Sequence, residues 1–338
     1  MRSPRTLAAA LLLIVTLTTP AGARTATVDC SEAELPVSVG LLTQTVRGQL
    51  CRPAGTTPGT VQLLVHGATY SSRYWDFPFD GHRYSYQRDL ATRGIATFAF
   101  DAIGSGRSDH PLSVLVTGVA QASVVHQLVG KLRSGHVLGR RFERVVLVGH
   151  SMGSGLAVVA AATYRDVDGV VLTGYSHAVN MVEFVRIFAQ GIRPAALDPT
   201  LVRRGTDPGY ITTAAGQRRV FHDPGVVDPA VVDADEDTKD QVPATIVPDL
   251  FPLAFVSPLS RQIDVPVLLV NGAADRIFCA AVCADRARLL DAERPYFAPT
   301  TPVDAYLLPN AGHTLGYAPN AADYRTAVAE WMSARFGE

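Results

Sequence analysis

Apolar positions along this chain fall into short runs, separated by stretches in which apolar residues recur at helical spacing. Residues 61–65, 96–100, 145–148, 170–173, 265–270 and 305–308 are brief, apolar and often β-branched. Strands covered on both faces of a parallel sheet have this character. Between them, residues 84–93, 114–132, 153–164, 281–292 and 321–336 read as helices. The alternation predicts an α/β fold, a mostly parallel sheet flanked by helices. Residues 37–42 and 45–51 are expected to add edge strands.

The rhythm breaks between about residues 177 and 260, where no strand stands out. An apolar helical stretch at 182–189 is followed by Pro- and Gly-containing loops and the acidic run Asp233-Ala234-Asp235-Glu236-Asp237. An unstructured insertion that long is uncommon in a compact domain unless it is functional. Phe251, Leu253, Phe255 and Val256 argue for burial rather than disorder. The segment is expected to be a mainly helical cap inserted between two sheet strands.

The N-terminus changes the compartment. Arg2 and Arg5 precede an uncharged apolar run at 7–17, and Ala21-Gly22-Ala23 is a small-residue cleavage pattern. Residues 1–23 therefore read as a signal peptide and the protein as secreted. The run is shorter than the ~20 residues of a spanning helix, and no later segment is long enough, so no stable membrane span is expected in the mature chain. The remaining residues, 24–338, form one domain carrying the cap. In an oxidising compartment the four cysteines suggest disulfides. Of three pairings, sequence proximity favours Cys30–Cys51 and Cys279–Cys283. No histidine sits at ligand spacing beside either pair, so no metal site is expected. The net charge is -1 and no basic stripe is present, which argues against a nucleic-acid partner.

The strongest chemical signal is Gly149-His150-Ser151-Met152-Gly153. It fits G-x-S-x-G, with an apolar strand running in and a small-residue helix running out, the setting this motif needs. Ser151 is the expected nucleophile. A hydroxyl needs a base, and the base an orienting acid. His313 ends a strand-like run in a turn, and Asp275 follows the run at 265–270, so the order is Ser, acid, His. The run at 61–65 leads into His66-Gly67-Ala68-Thr69, and the backbone amides of Ala68 and Met152 are the expected oxyanion donors. His66 reads as structural, bonding within its loop. Tyr70, Tyr74 and Trp75 are candidates for lining the substrate pocket, with packing under the loop as the alternative.

His66-Gly67, the 149–153 motif, Asp275 and His313, in this order, resemble the α/β-hydrolase superfamily. So does Asp101-Ala102-Ile103-Gly104-Ser105-Gly106-Arg107-Ser108, which is similar to a D-x-x-G-x-G-x-S loop of many members. The resemblance runs from about residue 45 to the C-terminus and is weakest across the cap. It implies an eight-stranded, mostly parallel sheet and a Ser–Asp–His triad. Branches with an Asp nucleophile, such as dehalogenases and epoxide hydrolases, do not match Ser151.

The function expected is hydrolysis of a carboxylic ester or lactone of a small, largely apolar molecule, through an acyl-enzyme and without a cofactor. One alternative keeps the triad for a dedicated natural-product reaction, as a lactonase, lyase or cyclising acyltransferase. Another is a non-catalytic ligand-binding protein on the same scaffold, which has no need of all four elements in order.

Overall fold

The computed structural model describes residues 27–204 and 207–337. The expected signal peptide, residues 1–23, lies outside the described residues.

The chain opens with a long hairpin, β1 (Val28–Val39) and β2 (Leu42–Pro53), turning at Gly40, whose φ of 59° suits glycine. The edge strand expected at 37–42 is thus two strand ends and the turn between them. Then come β3 (Thr60–Val65), α1 (Tyr86–Thr92), β4 (Ala96–Phe100), α2 (Gly118–Ser134), β5 (Arg144–His150), α3 (Met152–Tyr164) and β6 (Gly169–Thr173). The insertion holds α4 (Met181–Gly191), β7 (Ile192–Pro194), β8 (Tyr210–Thr213), α5 (Pro229–Asp237), β9 (Val242–Pro243) and α6 (Ile246–Phe251). The chain then returns through β10 (Val267–Gly272), α7 (Arg286–Glu293), β11 (Val303–Leu308) and α8 (Ala321–Phe336).

Eight strands form the main sheet in the order β1-β2-β4-β3-β5-β6-β10-β11. The β1–β2 and β2–β4 pairs are antiparallel and every other pair is parallel. Every residue of β3, β4, β6 and β10 is buried. Their side chains divide between two cores by strict alternation. Leu63, Phe98, Leu147 and Leu269 face α2 and α3 on one side, whereas Leu64, Ala99, Val148 and Val270 face α1 and α8 on the other. That double coverage is why the strands read as mostly apolar runs rather than as alternating ones.

Helix ends follow their local chemistry. Thr117 accepts from the Ala120 amide at the start of α2, and Gly135 in the left-handed conformation ends it. The Asp101 loop ties two connections together: its carboxylate accepts from the Ser72 amide at 2.7 Å and the Arg107 amide at 2.9 Å. The Ser108 hydroxyl donates to the Asp101 carbonyl at 2.6 Å.

The insertion differs from expectation in one respect. It is rich in helical turns, but β7, β8 and β9 form a small antiparallel sheet. These strands are four residues or shorter, too brief to show a period of two. The acidic run belongs to α5, and Asp235 within it is fully buried. The helix expected at 281–292 is also broken, into a 3-10 turn at Ala280–Ala284 and α7. Asp285 divides them by accepting from the Arg288 amide, which starts a new helix.

Cys30 and Cys51 face each other across the β1–β2 ladder and are bonded. Cys279 and Cys283 are bonded across the turn before α7. Two disulfides fit an oxidising compartment. Among the described residues, no helix is long and apolar enough to cross a membrane.

Candidate active site

Ser151 occupies the sharp turn between β5 and α3 with φ 54° and ψ -118°. A non-glycine residue in this half of backbone space is strained. The flanking glycines make the turn physically possible. A Cβ on Gly149 would fall 2.4 Å from the Gly153 carbonyl oxygen, and one on Gly153 would fall 2.2 Å from the Val65 carbonyl oxygen. Both obstacles are backbone and cannot swing away. The Ser151 amide donates to the Thr173 carbonyl at 2.9 Å, which fastens the turn to β6.

His150 points away from the cavity and into the core. Tyr74 stacks on its ring at 4.3 Å, and Thr173 Oγ1 lies 3.1 Å from its Nδ1. Burial, reinforced by the nearby His313, pushes its pKa well below the usual range. Burial also lowers the pKa of His66, whose Nε2 accepts from the Ala102 amide at 3.0 Å and whose Nδ1 donates to the Gly67 carbonyl. Both imidazoles serve the loops they sit in.

The loops after β10 and β11 bring Asp275 and His313 together. The Asp275 Oδ2 accepts from His313 Nδ1 at 2.8 Å. Its Oδ1 accepts from the Ile277 amide at 2.8 Å and the Phe278 amide at 3.2 Å, which leaves the carboxylate no freedom to turn. His313 and Ser151 open onto one cavity, and Ala68 and Met152 form part of the same wall. Among the described residues the Ser151 hydroxyl forms no hydrogen bond with His313; such bonds are often loose without substrate. Nor do the Ala68 and Met152 amides donate to any described acceptor.

The cavity has about 900 Å³ of open space, its mouth included. Phe184, Ile187 and Phe188 on α4, Ile211 on β8, and Ile246 and Leu250 on α6 form most of its far wall. Phe278, beside His313, closes the near side, with its ring 5.4 Å from the imidazole. Among the described residues the wall carries no Asp, Glu, Lys or Arg side chain. Of the three aromatic residues considered for substrate contact, only Tyr70 reaches this wall. Tyr74 and Trp75 do not: both are buried in the core shared with α1 and α8, where each packs against other rings. The turn after β3 rotates them under the loop instead of over the cavity.

The model of a family described as Alpha/beta hydrolase family matches residues 62–331. The chain belongs to the alpha/beta hydrolase family. No curated protein matches the sequence. Among solved structures, an esterase from Thermogutta terrifontis aligns at TM-score 0.61 and 19% identity, over 90% of this chain and 98% of that one. A soluble variant of the monoglyceride lipase from Saccharomyces cerevisiae aligns at TM-score 0.65 and 15% identity, over 94% and 99%. A 2-hydroxy-6-oxo-6-phenylhexa-2,4-dienoate hydrolase from Rhodococcus aligns at TM-score 0.56 and 17% identity, over 92% and 100%. At such identities the likeness is one of fold.

This alpha/beta hydrolase also contains a buried polar cluster beside the site that its sequence pattern does not reveal. Arg218 and Asp235, both without exposed side-chain surface, bond at 2.7 Å. Burial works against the Arg218 charge, but Asp235 together with the nearby Tyr70 and Tyr317 outweighs it and the guanidinium pKa rises. Burial likewise opposes the Asp235 charge, yet Arg218 and a bond from His222 hold its pKa below the usual carboxylate range. Only the acidic run hinted at Asp235. Arg218 lies in a polar stretch with no periodicity to mark it.

Proposed function

We propose that this hydrolase cleaves carboxylic esters or lactones with an apolar acyl portion, through a serine acyl-enzyme. The observation that carries the reading is the strained Ser151 turn opening onto the same cavity as the Asp275-held His313. Backbone strain of this kind is retained where function needs it. The apolar wall supports an uncharged, hydrocarbon-rich acyl group.

In this mechanism the Ser151 Oγ attacks the carbonyl carbon while His313 Nε2 takes its proton. The carbonyl π electrons move onto oxygen, where the Ala68 and Met152 amides receive the charge. Asp275 holds the imidazole in the tautomer that leaves Nε2 free, and stabilises the imidazolium once formed. His313 then protonates the leaving oxygen as the C–O bond breaks. Water, deprotonated by His313, attacks the acyl-enzyme, and Ser151 leaves with the returned proton. Export through the 1–23 segment accords with the two disulfides.

A fluorophosphonate probe tests the assignment. The expected result is stoichiometric labelling at Ser151 and loss of p-nitrophenyl ester turnover in Ser151→Ala. Full esterase activity in Ser151→Ala would overturn it.

A further inference from the structure

Thr69 follows the proposed oxyanion donor Ala68 and has φ 61°. A β-branched residue in the left-handed region is a genuine outlier, so something must hold it there. Among the described residues, the hydrogen bonds that reach Thr69 from outside its own loop come from the insertion. The Asp240 amide donates to the Thr69 carbonyl at 2.8 Å. Arg218 Nη1 donates to the same carbonyl at 3.3 Å and to Thr69 Oγ1 at 2.8 Å. The hydroxyl, its lone pair taken, donates to the Ala68 carbonyl at 2.6 Å.

Arg218 is in turn fixed from two sides. Asp235 takes its Nη2, and the Tyr70 ring lies 3.8 Å below its guanidinium carbon. The Tyr70 hydroxyl lies 2.8 Å from the hydroxyl of Thr314, the residue after His313. The Thr314 amide donates to the carbonyl of Phe221, three residues beyond Arg218, at 2.8 Å. One buried node thus reaches the loops of both the oxyanion donor and the base.

We propose that the Arg218–Asp235 pair is a positioning device: it holds Thr69 left-handed and so keeps the Ala68 amide aimed into the cavity. The proposal rests on the oxyanion role assigned to that amide. Stability alone is a poor reason for the pair, because apolar residues of similar volume often serve a buried site equally well. What they cannot supply is a directed donor to Thr69.

The test is a cycle of variants of the full mature chain, read by kcat, KM and thermal midpoint on a p-nitrophenyl ester. Arg218→Met/Asp235→Leu removes both charges and orphans neither. It is expected to lower kcat by about 10- to 100-fold, the effect of a misplaced reacting group, with KM changed by less than about threefold. Glycine adopts a positive φ without strain, so in a Thr69→Gly background the same pair of changes is expected to cost less than about threefold. Equal losses in both backgrounds would show general packing and overturn the proposal, as would an unchanged kcat in the Thr69 background. If the double variant fails to fold, Arg218→Lys is measured in the same two backgrounds. Lysine keeps the charge but not the fork that spans Thr69 and Asp235, so the same non-additivity is expected and its absence is equally fatal. Full turnover in Ser151→Ala would instead sink the assignment of Ser151 as nucleophile, a separate outcome.

Discussion

The His177 imidazole and the Glu293 carboxylate meet at 2.7 Å with neither side chain exposed to solvent. The second Glu293 oxygen accepts from the His177 amide at 2.7 Å, and His177 Nε2 lies 3.2 Å from the Ser260 hydroxyl. His177 follows β6 and Ser260 precedes β10, so α7 fastens both roots of the insertion through one carboxylate. Glu293→Ala leaves two buried donors unpaired and is expected to cost about 3 kcal/mol. Chemical denaturation would measure this. A midpoint equal to that of the native chain would show that the roots are held elsewhere.

Asp275 is expected to act through His313 alone. Asp275→Asn keeps the shape but presents an amide that can donate toward Nδ1, favouring the wrong tautomer. The expected loss in kcat is on the order of 10⁴-fold with KM little changed. Steady-state kinetics with parallel phosphonate labelling checks this, since both should slow together.

Gly153 offers a test of the turn that carries Ser151. In Gly153→Ala the new methyl lies 2.2 Å from the Val65 carbonyl oxygen and 2.6 Å from that of His66. Neither can move without parting β3 from α3. A loss of about 3 kcal/mol or more in stability is expected. Circular dichroism melts of purified variants would reveal it, and a native-like melt with full activity would contradict the geometry.

Stability should fall on the acid side of neutrality. Burial holds the His66 and His150 pKa values below their ordinary value in the folded chain. In the unfolded chain both titrate near about 6.5. Below that pH the unfolded state binds protons that the folded state refuses, so stability drops as pH falls toward the folded values. Above about pH 7 this contribution is constant. Asp235, with its lowered pKa, adds a further loss below about pH 4, as its carboxylate is forced to protonate. Thermal midpoints should therefore rise from pH 5 to pH 7.5. A flat or falling profile would count against buried neutral imidazoles.

Acyl length should be set by the insertion. Ile211 on β8 contributes to the far wall of the cavity. Ile211→Trp is expected to lower kcat/KM for octanoyl esters by about tenfold relative to acetyl esters, the worth of one to two excluded methylenes. A panel of p-nitrophenyl esters measures the ratio. Equal effects on short and long chains would place the acyl group elsewhere.

Most of the sheet and the candidate Ser151, Asp275 and His313 were legible in the sequence because they rest on local rules. A strand buried on both faces must be mostly apolar, as in residues 145–148 of β5 and 170–172 of β6. Gly149 is required by backbone crowding within five residues of chain, whereas Gly153 is required by the backbone at the end of β3. Asp275 and His313 follow strands whose order the α/β alternation sets. Tyr74 and Trp75 were not legible in this way: their direction depends on how the turn after β3 packs on α1 and α8. The same holds for the three-stranded sheet in the insertion, whose strands gain their partners from tertiary pairing and carry no period of their own.

Ser151 was thus marked by sequence alone, down to the reason for its neighbours. What only the folded chain decided is what surrounds it. Arg218 and Asp235 become a buried pair because residues 17 positions apart in a polar stretch converge on Thr69, 149 positions before Arg218. No local pattern encodes that meeting. Its physical basis is the exclusion of water, which makes each polar group dependent on the partner that the fold delivers.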